Sequence, residues 1–244
     1  MMSTLERVFE AWLRRRGERP RGDVGLIELY AVFAAESGRR PEELSAEERQ
    51  RLAELALPAA FPSFEVVPES GRRLEPIEVV EYDAAWPAAF AEWRDRLITA
   101  LGSAAVRIEH VGSTSVPGLP AKPVIDIQVS VADLDDEASY VPQIEALGVQ
   151  LRSRDRWHRF FRPFPERPRD VQIHVCAAGS GWERDHVLFR DYLREHPDAR
   201  AAYAAAKRRA AVDWRDDRLA YTDAKTAVIQ EIMAAAERSR PDGA

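Results

Sequence analysis

A chain of 244 residues with 45% hydrophobic and 31% charged side chains has the make-up of a folded protein, long enough for one medium domain and a smaller unit. Its formal charge of −6 excludes broad nucleic-acid or membrane-surface binding, which needs an extended positive face, and leaves room for a local basic pocket. The sequence carries no apolar run near the roughly 18 to 20 residues of a membrane span, no signal-like start beside Glu6, Arg7 and Glu10, and one cysteine, Cys176, so a cytoplasmic protein is expected.

Residues 3–57 read as helices. Ser3 with Glu6 fits a capping box, and Leu5, Val8, Phe9 and Trp12 recur on one face until the stretch from Arg14 to Gly22, with Gly17 and Pro20, interrupts. Asp23 is placed to cap a second helix carrying Leu26, Ile27, Tyr30 and Phe33, closed by Gly38. Ser45 with Glu48 opens a third, carrying Leu52, Leu55 and Ala56 and ending at Pro58. These faces are too few for an independent core, so residues 1–57 form a small all-helical module expected to dock on the remainder of the chain. Pro58, Pro62, Pro68 and Pro76, with Ser70 and Gly71, mark 58–76 as a connecting segment.

From residue 77 to about 240 the pattern is α+β. Ile77–Tyr82 reads as a strand, and Asp83 with Pro87 opens a helix whose buried face is Phe90, Trp93 and Leu97. Strands follow at Val106–His110 and Val124–Val131, then a helical stretch broken by Pro142, then strands at Val149–Arg154, Trp157–Arg162 and Val171–Cys176. The chain is helical again from Trp182 to Glu237, with Pro197 breaking or starting a helix.

The segment from His110 to Ile127 holds the least ordinary chemistry. Gly112, Ser113, Thr114 and Ser115 form a run of small residues whose N–H and hydroxyl groups can approach an oxyanion closely, as a phosphate cradle requires. Pro117, Pro120 and Pro123 stiffen the return and deliver Lys122 just before the next strand. In that strand a period of two separates Asp126, Gln128 and Ser130 from Ile125, Ile127, Val129 and Val131. A carboxylate such as Asp126, on the polar face of a core strand, has to be hydrogen-bonded or hold a cation. Of 35 basic residues only Lys122, Lys207 and Lys225 are lysine, which draws attention to where a compact ammonium is kept.

These residues resemble the GrpB-like family from Ile77 to about Glu237. The resemblance rests on the Gly-Ser-Thr-Ser-Val-Pro-Gly loop, Ala-Lys-Pro and Ile-Asp-Ile of the 110–127 block, Tyr82-Asp83 with Trp86-Pro87, the strand bearing His174, and Phe189-Arg190-Asp191-Tyr192-Leu193-Arg194. It implies the nucleotidyltransferase fold, a mixed sheet with flanking helices, in which a Gly-Ser loop holds a nucleotide triphosphate and an acidic strand holds Mg²⁺ or Mn²⁺. Gly112, Ser113 and Asp126 fall on those positions. Where the superfamily has a second carboxylate this chain has Gln128, and on the strand Val171–Cys176 a third is replaced by His174. The implied metal set is therefore Asp126, Gln128 and His174, softer than two-metal transfer needs, with Asp126 and His174 as the implied catalytic pair.

Two further cations are expected at the phosphate. Lys225 stands one turn after Tyr221, and Arg190 shares a helical face with His186 and Arg194, an arrangement that a solvated arginine face explains equally well. Lys207, one turn after Tyr203 but followed by Arg208 and Arg209, reads as surface, and His110 fits either the pocket wall or burial against the preceding helix. Arg159 and Arg162 suit charge near the pocket or surface pairing equally. The expected partner is a nucleotide or other phosphate-bearing small molecule, either for nucleotidyl transfer or in a non-catalytic binding or folding-assistance role.

Overall fold

The computed structural model describes residues 4–16, 26–60, 65–67 and 75–240. The helices are α1 (Thr4–Arg16), α2 (Leu26–Glu36), α3 (Ala46–Ala60), α4 (Trp86–Leu101), α5 (Val141–Glu145), α6 (Gly181–Glu195), α7 (Pro197–Asp213), α8 (Arg218–Asp223) and α9 (Thr226–Arg238). The strands are β1 (Glu65–Val66), β2 (Ala105–Val111), β3 (Ile125–Val131), β4 (Val149–Arg154), β5 (His158–Pro163) and β6 (Val171–Ala177). They form one mixed sheet in the order β1-β4-β5-β6-β3-β2, in which β3 and β6 run parallel and every other neighbour is antiparallel.

Alternation along β3 decides what each side of this sheet does. Ile125, Ile127, Val129 and Val131 line up with Val171, Ile173, Val175 and Phe161 on one face, closed by Leu97 and Leu101 of α4 and Ile144 of α5. Full burial of each such side chain contributes about 1.5–3 kcal/mol, so this layer anchors the sheet. The opposite face carries Asp126, Gln128 and Ser130 beside Gln172, His174 and Cys176, with α6 laid across it. That face holds the chemistry.

A second core joins the amino-terminal helices to the carboxy-terminal ones. Trp12, Leu29, Tyr30, Phe33 and Leu52 pack with Ile77 and with Ala210, Trp214, Ala220 and Tyr221 of the tail. Polar ties reinforce it: Ile27 N–H donates to Asp223 Oδ2 (3.0 Å), and the Tyr30 hydroxyl donates to Asp217 Oδ2 (3.1 Å). A third cluster clamps Val116 and Leu119, in the return after the small-residue turn, against Leu193, Tyr203, Ala204 and Ile232. Through it α7 and α9 are brought to the turn.

Several expectations are corrected. Ile77–Tyr82 is extended but no strand, since its ladder reduces to one bridge, Val80 with Ala121. β1, absent from the sequence reading, pairs its two residues with Ser153 and Arg154. α3 runs to Ala60, past Pro58. The residue flanking α4 is Ala85, while Asp83 builds the turn before it by accepting from Ala85 N–H at 2.8 Å. The Ser45–Glu48 box is present in both directions, at 2.8 and 3.2 Å. Gly38 takes φ +66° at the end of α2. Ser3, Gly17, Pro20, Gly22, Asp23, Pro62, Pro68, Ser70 and Gly71 lie outside the described residues. No helix among the described residues is long and apolar enough to cross a membrane.

Candidate functional site

The candidate site begins at Gly112, where β2 ends. Its backbone sits at φ 68°, ψ −171°, a region open essentially to glycine alone. A Cβ there would lie 2.2 Å from Asp126 Oδ2, so the bare Cα is what lets the carboxylate of β3 close against the turn. The same approach fixes Asp126 from below. From the side, a Gln172 amide turned to satisfy both its ends donates to Asp126 Oδ1 (3.1 Å) and accepts from Arg169 Nη2 (3.0 Å).

The hydroxyls of the turn divide in role. Thr114 is buried, with its Oγ1 donating to the Val124 carbonyl (3.2 Å) and lying 3.0 Å from His110 Nε2. Ser115 Oγ donates to the Gly112 carbonyl (2.6 Å), while its own carbonyl accepts from Arg194 (2.8 and 3.1 Å). Both brace the loop and are unavailable to a ligand in this arrangement. Ser113, half-buried, lies close enough to Tyr203 of α7 to interact with its hydroxyl, and of the three hydroxyls of the turn it is the one not committed to bracing the loop.

All three lysines of the chain reach this place. Lys122 and Lys225 lie over the ring of Tyr221, at 4.9 and 4.3 Å from its centroid, and Lys207 lies 4.8 Å from the centroid of Tyr203. Lys207 also donates to the Pro120 carbonyl. Asp126 is the one described carboxylate whose field acts on each of the three. Burial pushes the Lys122 ammonium down to about 8, and burial followed by the neighbouring ammonium groups pushes Lys207 and Lys225 down to about 7. An anion entering here would relieve that mutual repulsion. Lys207 is thus corrected from surface to pocket; it is 2% exposed. The signal was the spacing: Tyr203/Lys207 and Tyr221/Lys225 repeat the same one-turn pair, in a chain with no other lysine besides Lys122.

Arg190 goes elsewhere. Its guanidinium is buried against Glu109 Oε2 (2.7 Å), the Asp191 carboxylate (2.7 and 3.0 Å) and the His110 carbonyl (3.0 Å), tying α6 to β2. His110 resolves to the buried alternative: it stacks on Phe90 of α4 at 4.6 Å, and burial pushes it down to about 4. Arg159 is taken by Asp135 (3.0 Å) and Glu137 (2.5 Å), away from the pocket.

His174 faces Asp126, with Nε2 3.8 Å from Oδ1. Its other nitrogen lies 3.1 Å from His158 Nε2, and His158 Nδ1 lies 3.4 Å from Asp155 Oδ2. Because a carboxylate only accepts, His158 Nδ1 is the donor there, which leaves His158 Nε2 to accept from His174 Nδ1–H. The two rings sit beside Trp182, itself stacked on His186 at 3.6 Å. His158 escaped the sequence reading, although its place on β5, two strand positions from Phe160, put it on the same face. Gln128, the register partner of His174, is fully buried, and both ends of its amide lack a hydrogen-bond partner. No group of three or more His, Cys, Asp or Glu among the described residues is placed to hold a metal ion.

The family model described as GrpB protein matches residues 76–235. The chain is 44% identical over 159 residues to a UPF0157 protein of Halalkalibacterium halodurans, covering 64% of this chain and 80% of that one. Its identity to a UPF0157 protein of Streptomyces coelicolor is 42% over 164 residues, covering 67% and 86%. The crystal structure of conserved protein GrpB from Enterococcus faecalis superposes with a TM-score of 0.60 at 30% identity, over 66% of this chain and 98% of that one.

Proposed function

The chain belongs to the GrpB family across residues 76–235, and on that basis we propose that it binds a nucleotide or another phosphate-bearing small molecule between the Gly112 turn, Asp126 and the carboxy-terminal helices. The observation that carries this reading is the convergence of Lys122, Lys207 and Lys225 on two tyrosines beside a small-residue turn. Buried or partly buried ammonium groups attract an oxyanion far more strongly than surface lysines do, because the local dielectric screens them less. Ser113 adds a hydroxyl at the same place.

Nucleotidyl transfer to an acceptor is the finer form of this reading. It is favoured by the Asp155–His158–His174 chain, which presents an imidazole nitrogen beside Asp126 where an acceptor hydroxyl could lose a proton. The divalent metal that the fold resemblance implies does not fit the residues present. A two-metal clamp needs several carboxylates, and Gln128 and His174 stand where they would be. Those two substitutions favour binding without transfer.

Thermal unfolding of the full chain with nucleoside triphosphates and pyrophosphate tests the common part. A ligand at a hundredfold excess over its Kd stabilises the fold by about 2.7 kcal/mol, so Tm rises, and Ser113→Ala should reduce the rise. If none of these compounds moves Tm, the phosphate pocket is rejected.

A further inference from the structure

Resting on that reading, we infer that Lys122, Lys207 and Lys225 supply the positive charge that a divalent cation supplies in metal-dependent phosphate sites, so that the ligand's diphosphate or triphosphate group binds as the metal-free anion. Two independent features of the pocket lead there, one concerning oxygens and one concerning charge.

The oxygens are unsuited to Mg²⁺. That ion needs near-octahedral oxygen ligands at roughly 2.0–2.1 Å, commonly from one or two carboxylates that turn an open edge to it. Asp126 is a lone carboxylate: 27% of its side-chain surface stays exposed, but both oxygens already have close neighbours. Its Oδ2 is packed on the Gly112 Cα so tightly that a methyl group would collide at 2.2 Å, and its Oδ1 receives the Gln172 amide at 3.1 Å and faces His174 Nε2 at 3.8 Å. The next position on that face is Gln128, a neutral amide with no exposed surface.

The charge can be provided by the chain. Three lysine amines surround one carboxylate; burial and mutual repulsion favour proton loss before an anion enters, and an entering polyphosphate, by favouring the protonated forms, draws the site toward three ammonium groups against one carboxylate. They come from separate places in the sequence: the loop before β3, the middle of α7 and the residue between α8 and α9. Tyr221 and Tyr203 give each ammonium a ring face to rest on, which holds the cations in position before any anion arrives. Arg169 and Arg218 add to the positive field at Lys122, and Arg208 adds to it at Lys207.

Titration calorimetry of the full chain with inorganic pyrophosphate, once in EDTA and once in excess MgCl2, tests the inference. Pyrophosphate should bind in EDTA, and Mg²⁺ should leave binding unchanged or weaken it by complexing the free anion. Lys225→Met should weaken binding on the order of tenfold, the loss of one charge-assisted contact. Should Lys207→Met fail to fold because that side chain braces Pro120, Lys225→Met and Lys122→Met, each checked by its unfolding curve, decide the matter. Asp126→Asn, titrated at pH 6 so that the lysines stay protonated without their counter-charge, gives a result of opposite sign for the two accounts: with lysines as the clamp it keeps or tightens binding in EDTA, since a repelling charge is gone. Binding that appears only with Mg²⁺ or Mn²⁺, or that Asp126→Asn abolishes, overturns the inference while leaving phosphate binding intact. If pyrophosphate and nucleotides fail to bind under both conditions, the phosphate reading falls, and this inference falls with it.

Discussion

Gly112 and Gln128 pull in opposite directions at the scale of single residues. At Gly112 any side chain meets both a backbone conformation costing about 1–3 kcal/mol and the carboxylate of Asp126. Gly112→Ala is therefore expected to lower the unfolding free energy by at least that backbone cost, read as a lower urea midpoint, and to displace Asp126, visible as an altered pyrophosphate affinity. Gln128 carries an amide whose donors and acceptor go unmatched in full burial, a deficit on the order of 1–3 kcal/mol. Gln128→Met keeps the volume and removes the deficit, so Tm should hold or rise; a marked fall would mean that the amide has a partner that the folded chain acquires from solvent or ligand. The sequence revealed Gly112, Ser113 and Asp126 because their chemistry is local to one loop and one strand. It did not reveal Lys207, whose neighbours Arg208 and Arg209 point outward: helical position decides burial there, and composition near the residue does not.

Among the elements, α8 is short but holds the two halves of the molecule together. Asp217 caps it by accepting from Ala220 N–H (2.9 Å), receives the Tyr30 hydroxyl (3.1 Å), and pairs with Arg49 (3.2 Å). Losing a cap costs about 0.5–2 kcal/mol, and losing one of the two acceptors of the Tyr30 hydroxyl, which keeps the Arg49 carbonyl at 3.2 Å, adds about 0.5–1.5. Asp217→Ala should thus lower stability by roughly 1–3.5 kcal/mol in chemical denaturation. It should also weaken pyrophosphate binding, because α8 carries Tyr221. Asp217→Asn, which retains a cap, should do much less. β3 to β6 were legible from alternation because each has one face in the core. Ile77–Tyr82 misled through its β-branched residues: Ile77 and Val79 do turn into a core, but that core belongs to the helices, with Ile77 buried among α1–α3 and the tail. β1 was invisible, since two residues leave no period to detect.

Acid sensitivity is a property of the whole molecule. His110 and His186 sit in different layers, and burial pushes both down to about 4 from an ordinary value near 6.5. The unfolded chain therefore binds more protons than the folded one between those values. Their contribution to stability is complete above about pH 6.5 and is lost as pH falls toward 4. The urea midpoint should decline across that window, and His186→Gln should flatten the decline. A midpoint independent of pH from 7 to 5 would show that neither ring is held neutral.

The sheet closes with β6 at Ala177, whereas the lysines that complete the pocket are residues 207 and 225. On the ribosome, where the chain emerges from its amino end, the strands can pair and bury their apolar face while no ligand site yet exists. A nascent chain stalled after α6 would have the Gly112 turn and Asp126 but two of its three ammonium groups would be unmade. Phosphate ligands cannot then guide the early steps of folding. On the proposed reading such a ligand locks the carboxy-terminal helices once these have arrived, so pyrophosphate should slow proteolytic loss of α7–α9 far more than it protects the strands.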